Sequence, residues 1–321
     1  MRKDGVCTMK DKALAVFLSM VLALGMTACA DRTSAEEKPR EIVAEENTEE
    51  YKDYEELEVP EELPEEEPEV EEEDDEKPEM TVPRLSDDFD GLEELDNTVL
   101  GWGPGGPVDG NNRSQGAVSY QQKYGDLDAD FIAENTNKIY LTFDEGYENG
   151  YTEKILDVLK EKDCPAVFFV TMPYAKGNPE LIQRMIDEGH VVANHSVNHL
   201  IMPELSAEEQ YNEIVELHNY IKEEFDYDMN LFRYPTGAFS EQSLAIVSEI
   251  GYRSVFWSFA YKDWLVDEQP DCDEALSNLK EKAHPGAIYL LHAVSSTNTE
   301  ILGDFIDWCR DEGYEFSDYI V

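Results

Sequence analysis

From Lys138 onward, short and almost wholly apolar runs alternate with stretches of helical period. The runs fall at 138–143, 166–170, 191–194, 231–234, 254–258, 287–291 and 314–320. Between them, Asn178-Pro179 opens a segment in which Leu181, Ile182, Met185 and Ile186 share a helix face, closed by Gly189. That is an N-cap, a first-turn proline and a C-terminal glycine in order. Ser206-Ala207-Glu208-Glu209 reads as a capping box opening a helix to about Phe225. Ser240 caps another helix that ends at Gly251, and Thr299 to Glu312 forms the last, stopped by Gly313. Seven strands alternating with helices predict a parallel sheet. No Gly-x-Gly-x-x-Gly follows the first strand, which argues against a dinucleotide fold. A closed or nearly closed β/α barrel fits better, with its reactive groups at the carboxyl ends of the strands.

The preceding part of the chain follows no such pattern. Arg2, Lys3, Lys10 and Lys12 precede an apolar stretch from Ala13 to Met26. That stretch is shorter than the ~20 residues of a membrane span and reads as an export signal. It ends Met26-Thr27-Ala28-Cys29, which resembles a bacterial lipobox. The resemblance implies cleavage before Cys29 and a lipid anchor on its thiol, giving a signal peptide over 1–29. An ordinary signal peptide with an incidental cysteine and an uncleaved anchor are the alternatives. On each reading the rest of the chain lies outside the cytoplasm.

Glu36 to Met80 holds 24 acidic and 4 basic residues, no glycine and no apolar period. Such a segment cannot bury a core, so 30–90 reads as a disordered acidic linker. About 60 residues of such chain give a mean reach of roughly 45 Å, extended further by self-repulsion. Residues 91–137 read as an irregular N-terminal extension, with Trp102-Gly103-Pro104-Gly105-Gly106-Pro107 as a loop on the domain surface. The whole chain has 321 residues and a net charge of -48. That argues against nucleic acid and against adsorption to anionic lipid. Once Cys7 leaves with the signal and Cys29 carries lipid, Cys164, Cys272 and Cys309 remain, at spacings unlike a zinc knuckle. One disulfide at most can form among them.

Candidate chemistry gathers on one rim of the expected barrel. His195 and His199, four residues apart behind Val191-Val192-Ala193, can grip one divalent metal if the chain turns helically there. His292 ends the sixth strand, whereas His190 and His284 precede strands and His218 is mid-helix, so those three read as structural. Asp144 and Glu145 end the first strand, Arg233, Pro235 and Gly237 the fourth, and Asp263-Trp264 follow the fifth. Singly, each has an ordinary explanation as a helix cap or surface ion pair. Convergence at five strand ends points to a reaction site.

Thr142-Phe143-Asp144-Glu145-Gly146, His195-Ser196-Val197-Asn198-His199, Arg233-Tyr234-Pro235-Thr236-Gly237, Asp263-Trp264 and Leu290-Leu291-His292 resemble, in order, the five motifs of the NodB-homology polysaccharide deacetylases. The resemblance covers about 138–321. Gly146-Tyr147-Glu148-Asn149-Gly150-Tyr151-Thr152 and Ala283 to His292 are most similar to the delta-lactam-biosynthetic de-N-acetylases. Those act on muramic acid residues of peptidoglycan in spore-forming bacteria. The resemblance implies a distorted (β/α) barrel of about seven parallel strands and a hydrolase acting on linear amide bonds.

Carried over residue by residue, it implies that His195 and His199 hold a divalent metal: zinc, or cobalt or manganese. Asp144 takes a proton from water, and a backbone N–H near Tyr234 helps the oxyanion. His292 protonates the departing amine, Arg233 keeps Asp144 ionised, and Asp263 holds His292. Tyr234, Pro235, Trp264 and Leu290 are implied as substrate-binding residues, with Trp264 and Leu290 walling the acetyl pocket. The partners implied are peptidoglycan glycan strands and, through Cys29, the outer face of the cytoplasmic membrane; no protein partner is implied. One position departs from the family: Glu145 stands where a second aspartate completes the metal triad. Its extra methylene lets it ligate from another rotamer, act through water, or turn away. The readings that compete are deacetylation of N-acetylglucosamine or another polysaccharide, an O-acetyl esterase, and a glycan-binding relative without turnover.

Overall fold

The computed structural model describes residues 83–133 and 136–317. The signal peptide, Cys29 and most of the acidic linker lie outside the described residues. No helix of the described residues is long and apolar enough to cross a membrane.

The N-terminal extension supplies β1 (Leu100–Gly101), α1 (Gln115–Tyr124) and β2 (Ala129–Asp130). The alternation then runs β3 (Lys138–Glu145), α2 (Thr152–Glu161), β4 (Val167–Val170), α3 (Met172–Gly177), α4 (Pro179–Asp187) and β5 (Val191–Asn194). It continues with α5 (Ala207–Phe225), β6 (Leu231–Phe232), β7 (Ala238–Phe239), α6 (Glu241–Ile250), β8 (Arg253–Val255) and β9 (Phe259–Ala260). The chain closes with α7 (Cys272–Glu281), β10 (Ala287–Leu291), α8 (Ser296–Asp311) and β11 (Glu315–Phe316).

The main sheet is parallel, in the order β2-β8-β6-β5-β4-β3-β10-β9, with β11 beside the start of β3. Its outer strands β2 and β9 do not pair with each other, so the sheet is an open, curled half-barrel. The curl is required by one contact. Arg233 follows β6 and Asp144 lies on β3, three strand positions away. In a flat sheet that is ~14 Å, beyond an arginine's reach, yet the two side chains are 2.7 Å apart.

Register brings the reactive residues to one level. Asn194 lies beside both Val170 and Phe232, so His195 and Arg233 leave the sheet together. Leu291 lies beside Phe143, so His292 leaves β10 level with Asp144. The strand pleat also separates two neighbours. Thr142 and Asp144 share the face that meets Arg233, so Glu145 shares the opposite face with Phe143.

The capping residues act largely as their chemistry requires. Ser206 and Glu209 form the reciprocal box at α5, and Ser240 with Gly251 bounds α6. The last helix starts at Ser296, earlier than the expected Thr299, because the Ser295 hydroxyl accepts the Asn298 N–H and sets the N-cap.

The extension needs the largest correction. Trp102 is not on a surface loop: it is buried, its indole N–H donates to the Trp257 carbonyl at 2.9 Å, and β1 pairs antiparallel with β7. Its ring joins an aromatic cluster with Tyr120, Phe131 and Phe256. The stretch read as irregular thus holds a helix and contributes edge strand β2 to the sheet. Nor does the linker reach residue 90 unstructured: the Leu85 N–H donates to the Ile250 carbonyl at 2.7 Å, and Phe89 packs edge-on against Tyr211.

Gly237 sits where this strap crosses the main domain. Its φ is +73°, and a Cβ there would lie 2.8 Å from Trp257 and 3.0 Å from the Trp102 carbonyl oxygen. Gly237→Ala is therefore expected to destabilise the domain by more than ~1 kcal/mol, read as a lowered urea midpoint.

Candidate active site

Asp144 is at the centre of the rim. Its Oδ1 accepts from Arg233 Nη1 at 2.7 Å, and its Oδ2 lies 3.6 Å from His195 Nε2. Arg233 is fully buried and its donors are committed: Nη1 also to Thr142 Oγ1 at 2.7 Å, Nε to the Val255 carbonyl at 2.9 Å, and Nη2 to the Phe256 carbonyl at 3.0 Å. The Phe169 ring lies 4.0 Å beneath the guanidinium. Burial alone would raise the pKa of Asp144, but Arg233, His195 and His292 outweigh it and hold the carboxyl below its ordinary value.

His195 and His199 come together, though not by a helical turn. Ser196 and His199 adopt left-handed backbone, with φ of 70° and 55°. The loop closes through Ser196 N–H to Asn194 Oδ1 and His199 N–H to Ser196 Oγ, each 2.9 Å. The two rings lie 4.9 Å apart at 77°. With metal–nitrogen bonds of about 2.1 Å, two imidazoles on one tetrahedral ion have centroids about 5 Å apart, so the pair fits a shared cation. His195 Nδ1 donates to the Arg233 carbonyl at 2.9 Å, which leaves the Nε2 lone pair facing the rim. Burial pushes His195 down to about 4 and lowers His199 as well, so both are neutral, as ligands must be.

Glu145 does not join them. Among the described residues no three His, Cys, Asp or Glu side chains form a group that could hold a metal. Glu145 is fully buried, and neither carboxylate oxygen has a hydrogen-bond partner among the described residues. Burial, with Glu148, Asp144 and Asp263 nearby, raises its pKa well above the ordinary value. The pleat of β3 is the reason it turns from the rim. The residues present thus fit a cation held by two imidazoles, with its remaining positions left to oxygen ligands.

Across the rim, His292 Nδ1 is 2.7 Å from Asp263 Oδ1, and the His292 backbone N–H donates to Asp263 Oδ2 at 2.8 Å. Burial would lower the imidazole, but Asp263 and Asp144 outweigh it and hold His292 above its usual range. Trp264 is exposed beside it, with ring centroids 5.5 Å apart, so it flanks the mouth of the rim. Leu290 and Pro235 are buried. The Tyr234 side chain is buried too, stacked on Phe256 at 5.5 Å. Its ring faces the core, so only its backbone is left to meet a substrate. His218 and His284 bond Tyr252 and Ser258 away from the rim, and His190 packs edge-on against Phe168.

Two residues of the site went unread in the sequence. Asn298 Nδ2 donates to Asp263 Oδ2 at 2.6 Å and to the His292 carbonyl at 3.1 Å. Gln269 Nε2 donates to the Asp263 carbonyl at 2.7 Å. The available signal was Asn298 on the buried face of a helix otherwise lined by Ile301, Leu302 and Phe305.

The family model for polysaccharide deacetylase matches residues 132–255. The chain is 40% identical over 228 residues to the peptidoglycan-N-acetylmuramic acid deacetylase PdaA of Bacillus subtilis, covering 70% of this chain and 86% of that one. The chain belongs to the polysaccharide deacetylase family. An uncharacterised 30.6 kDa protein of Geobacillus stearothermophilus is 45% identical to this deacetylase over 196 residues, 60% of this chain and 73% of the other. The solved structure of B. subtilis PdaA, described as a family 4 carbohydrate esterase, superposes with a TM-score of 0.67 at 37% identity. It covers 70% of this deacetylase and 96% of the PdaA chain.

Proposed function

We propose that this deacetylase removes N-acetyl groups from peptidoglycan glycan strands, acting at N-acetylmuramic acid with a bound divalent cation. One observation carries the reading: on one rim, a carboxylate bonded to Arg233 is held below its ordinary pKa and an imidazole bonded to Asp263 is held above its own. A base and an acid whose environments push them apart is the arrangement that amide hydrolysis needs.

Asp144 takes a proton from a water as that water's oxygen bonds to the acetyl carbonyl carbon. His292 gives its proton to the nitrogen as the C–N bond breaks, releasing acetate and a free amine. Arg233 holds Asp144 in place because four of its hydrogen bonds anchor the guanidinium to the core and to Asp144. A backbone N–H near Tyr234 receives the developing oxyanion, with Trp264, Pro235 and Leu290 bounding the substrate. A divalent cation on His195 and His199 would polarise the carbonyl and lower the pKa of water; zinc, cobalt and manganese suit imidazole with oxygen ligands.

The muramic assignment is supported by the B. subtilis relative, described as acting on that sugar. The resemblance of Gly146–Thr152 and Ala283–His292 to the delta-lactam-biosynthetic de-N-acetylases of spore-forming bacteria supports a role in sporulation. The signal-like N-terminus and Cys29 support an extracytoplasmic, lipid-anchored protein whose acidic segment serves as a tether.

Glu145 favours a second reading, a glycan-binding relative without turnover. The test is muropeptide mass spectrometry after the full-length protein, with added zinc or cobalt, has acted on isolated peptidoglycan. Loss of acetyl groups from muramic acid is expected. Loss confined to glucosamine overturns the substrate, and no loss favours the second reading.

A further inference from the structure

The loop carrying the two rim imidazoles is unusual in having non-glycine residues at left-handed φ at both Ser196 and His199. Such backbone does not hold itself in a chain of L-residues and persists only where its surroundings fix it. Its surroundings are mostly α5. The Asn194 side chain donates to the Ile214 carbonyl at 2.8 Å, and the Val197 N–H to the Glu213 carbonyl at 3.0 Å.

The tightest contact is a side chain. Glu213 is buried, and both its oxygens are engaged by one residue: Oε2 accepts the Asn198 backbone N–H at 2.8 Å, and Oε1 accepts Asn198 Nδ2 at 2.5 Å. These partners are N–H groups rather than a cationic side chain. Among the described residues no cationic side chain pairs with it; such a buried carboxylate is costly, and for stability alone an apolar residue on this helix face would serve better. The carboxylate does something an apolar residue cannot: it fixes Asn198, the residue immediately before His199, by both its backbone N–H and its side-chain amide.

We propose that Glu213 is the positioning residue of the rim, clamping Asn198 so that the His199 imidazole stands against that of His195. The cation-holding consequence rests on the functional reading above, whereas the clamp itself does not. Two readouts separate them. The first is amide hydrogen exchange across 194–200 in the full chain without metal. Glu213→Leu is expected to speed exchange there by about tenfold or more, while Glu213→Gln, which still accepts the Asn198 N–H, leaves it near the parent. The second is cobalt affinity, expected to weaken by about 10- to 100-fold in Glu213→Leu and to be largely rescued in Glu213→Gln.

If Glu213→Leu does not fold, Asn198→Ala removes the side-chain arm of the clamp alone and is expected to show the same two changes at smaller size. Unchanged exchange in Glu213→Leu, or in Asn198→Ala where that variant stands in, overturns the proposal. So does equal loss in Glu213→Leu and Glu213→Gln. Failure of the parent to bind cobalt, with the exchange change still present, instead overturns the metal reading and leaves the clamp standing.

Discussion

Arg233→Met is expected to lose both activity and about 3–5 kcal/mol of stability. The guanidinium is fully buried, and it is the side chain nearest to balancing Asp144, itself only 8% exposed. Methionine keeps much of the volume and the contact with Phe169 but supplies no charge. Asp144 then remains buried without its principal partner, and protonation is its cheapest relief. A protonated Asp144 cannot accept a proton from water, so the two losses share one cause. The Val255 and Phe256 carbonyls and the Thr142 hydroxyl lose a donor at the same time. Urea unfolding reads the stability, and acetate release the activity. A variant with parental stability and near-parental turnover would show that the ion pair matters to neither.

Asp144→Asn is expected to lower kcat by about 10²–10⁴-fold while disturbing the fold much less. An amide oxygen can still accept from Arg233 Nη1, so the geometry of the rim survives. It cannot take a proton at neutral pH, so the step that makes water a nucleophile is lost. KM should move little, because the proposed role of Asp144 is on the attacking water rather than the sugar. Cobalt affinity measured beside kcat separates lost base catalysis from a lost ligand. A kcat within a few-fold of the parent would remove Asp144 from the proposed role.

Much of the rim was legible from sequence because strand ends in a parallel sheet point their loops one way. Once the apolar runs were marked, Asp144, His195, Arg233 and His292 had to emerge on the same side, and register places His292 level with Asp144. The fold was legible for the same reason, down to the Ser206 and Ser240 caps. Three things escaped, two of them through long-range packing and one through the pleat of a strand. Trp102 sits in a glycine- and proline-rich stretch without strand periodicity, and its burial depends on β7 and Trp257, more than 130 residues away. Glu145 neighbours Asp144 in sequence, but a strand alternates its faces, so adjacency implied divergence. Asn298 and Glu213 are polar residues on helix faces turned to the interior, and only the fold shows that their partners are Asp263 and Asn198.

The central claim is that an ionised Asp144 and a protonated His292 act together. The pH dependence of kcat/KM for acetate release tests it most directly, comparing the parent with Asp263→Asn. The parent should give a bell. Its acid limb, where Asp144 protonates, lies below the ordinary carboxylate value, and its alkaline limb, where His292 deprotonates, lies above the ordinary imidazole value. Removing the Asp263 charge leaves Asp144 alone to raise His292 against burial and Arg233, which both lower it. The alkaline limb should therefore move to lower pH while the acid limb stays. An alkaline limb that does not shift, or an acid limb that shifts in its place, would contradict the assignment of acid and base.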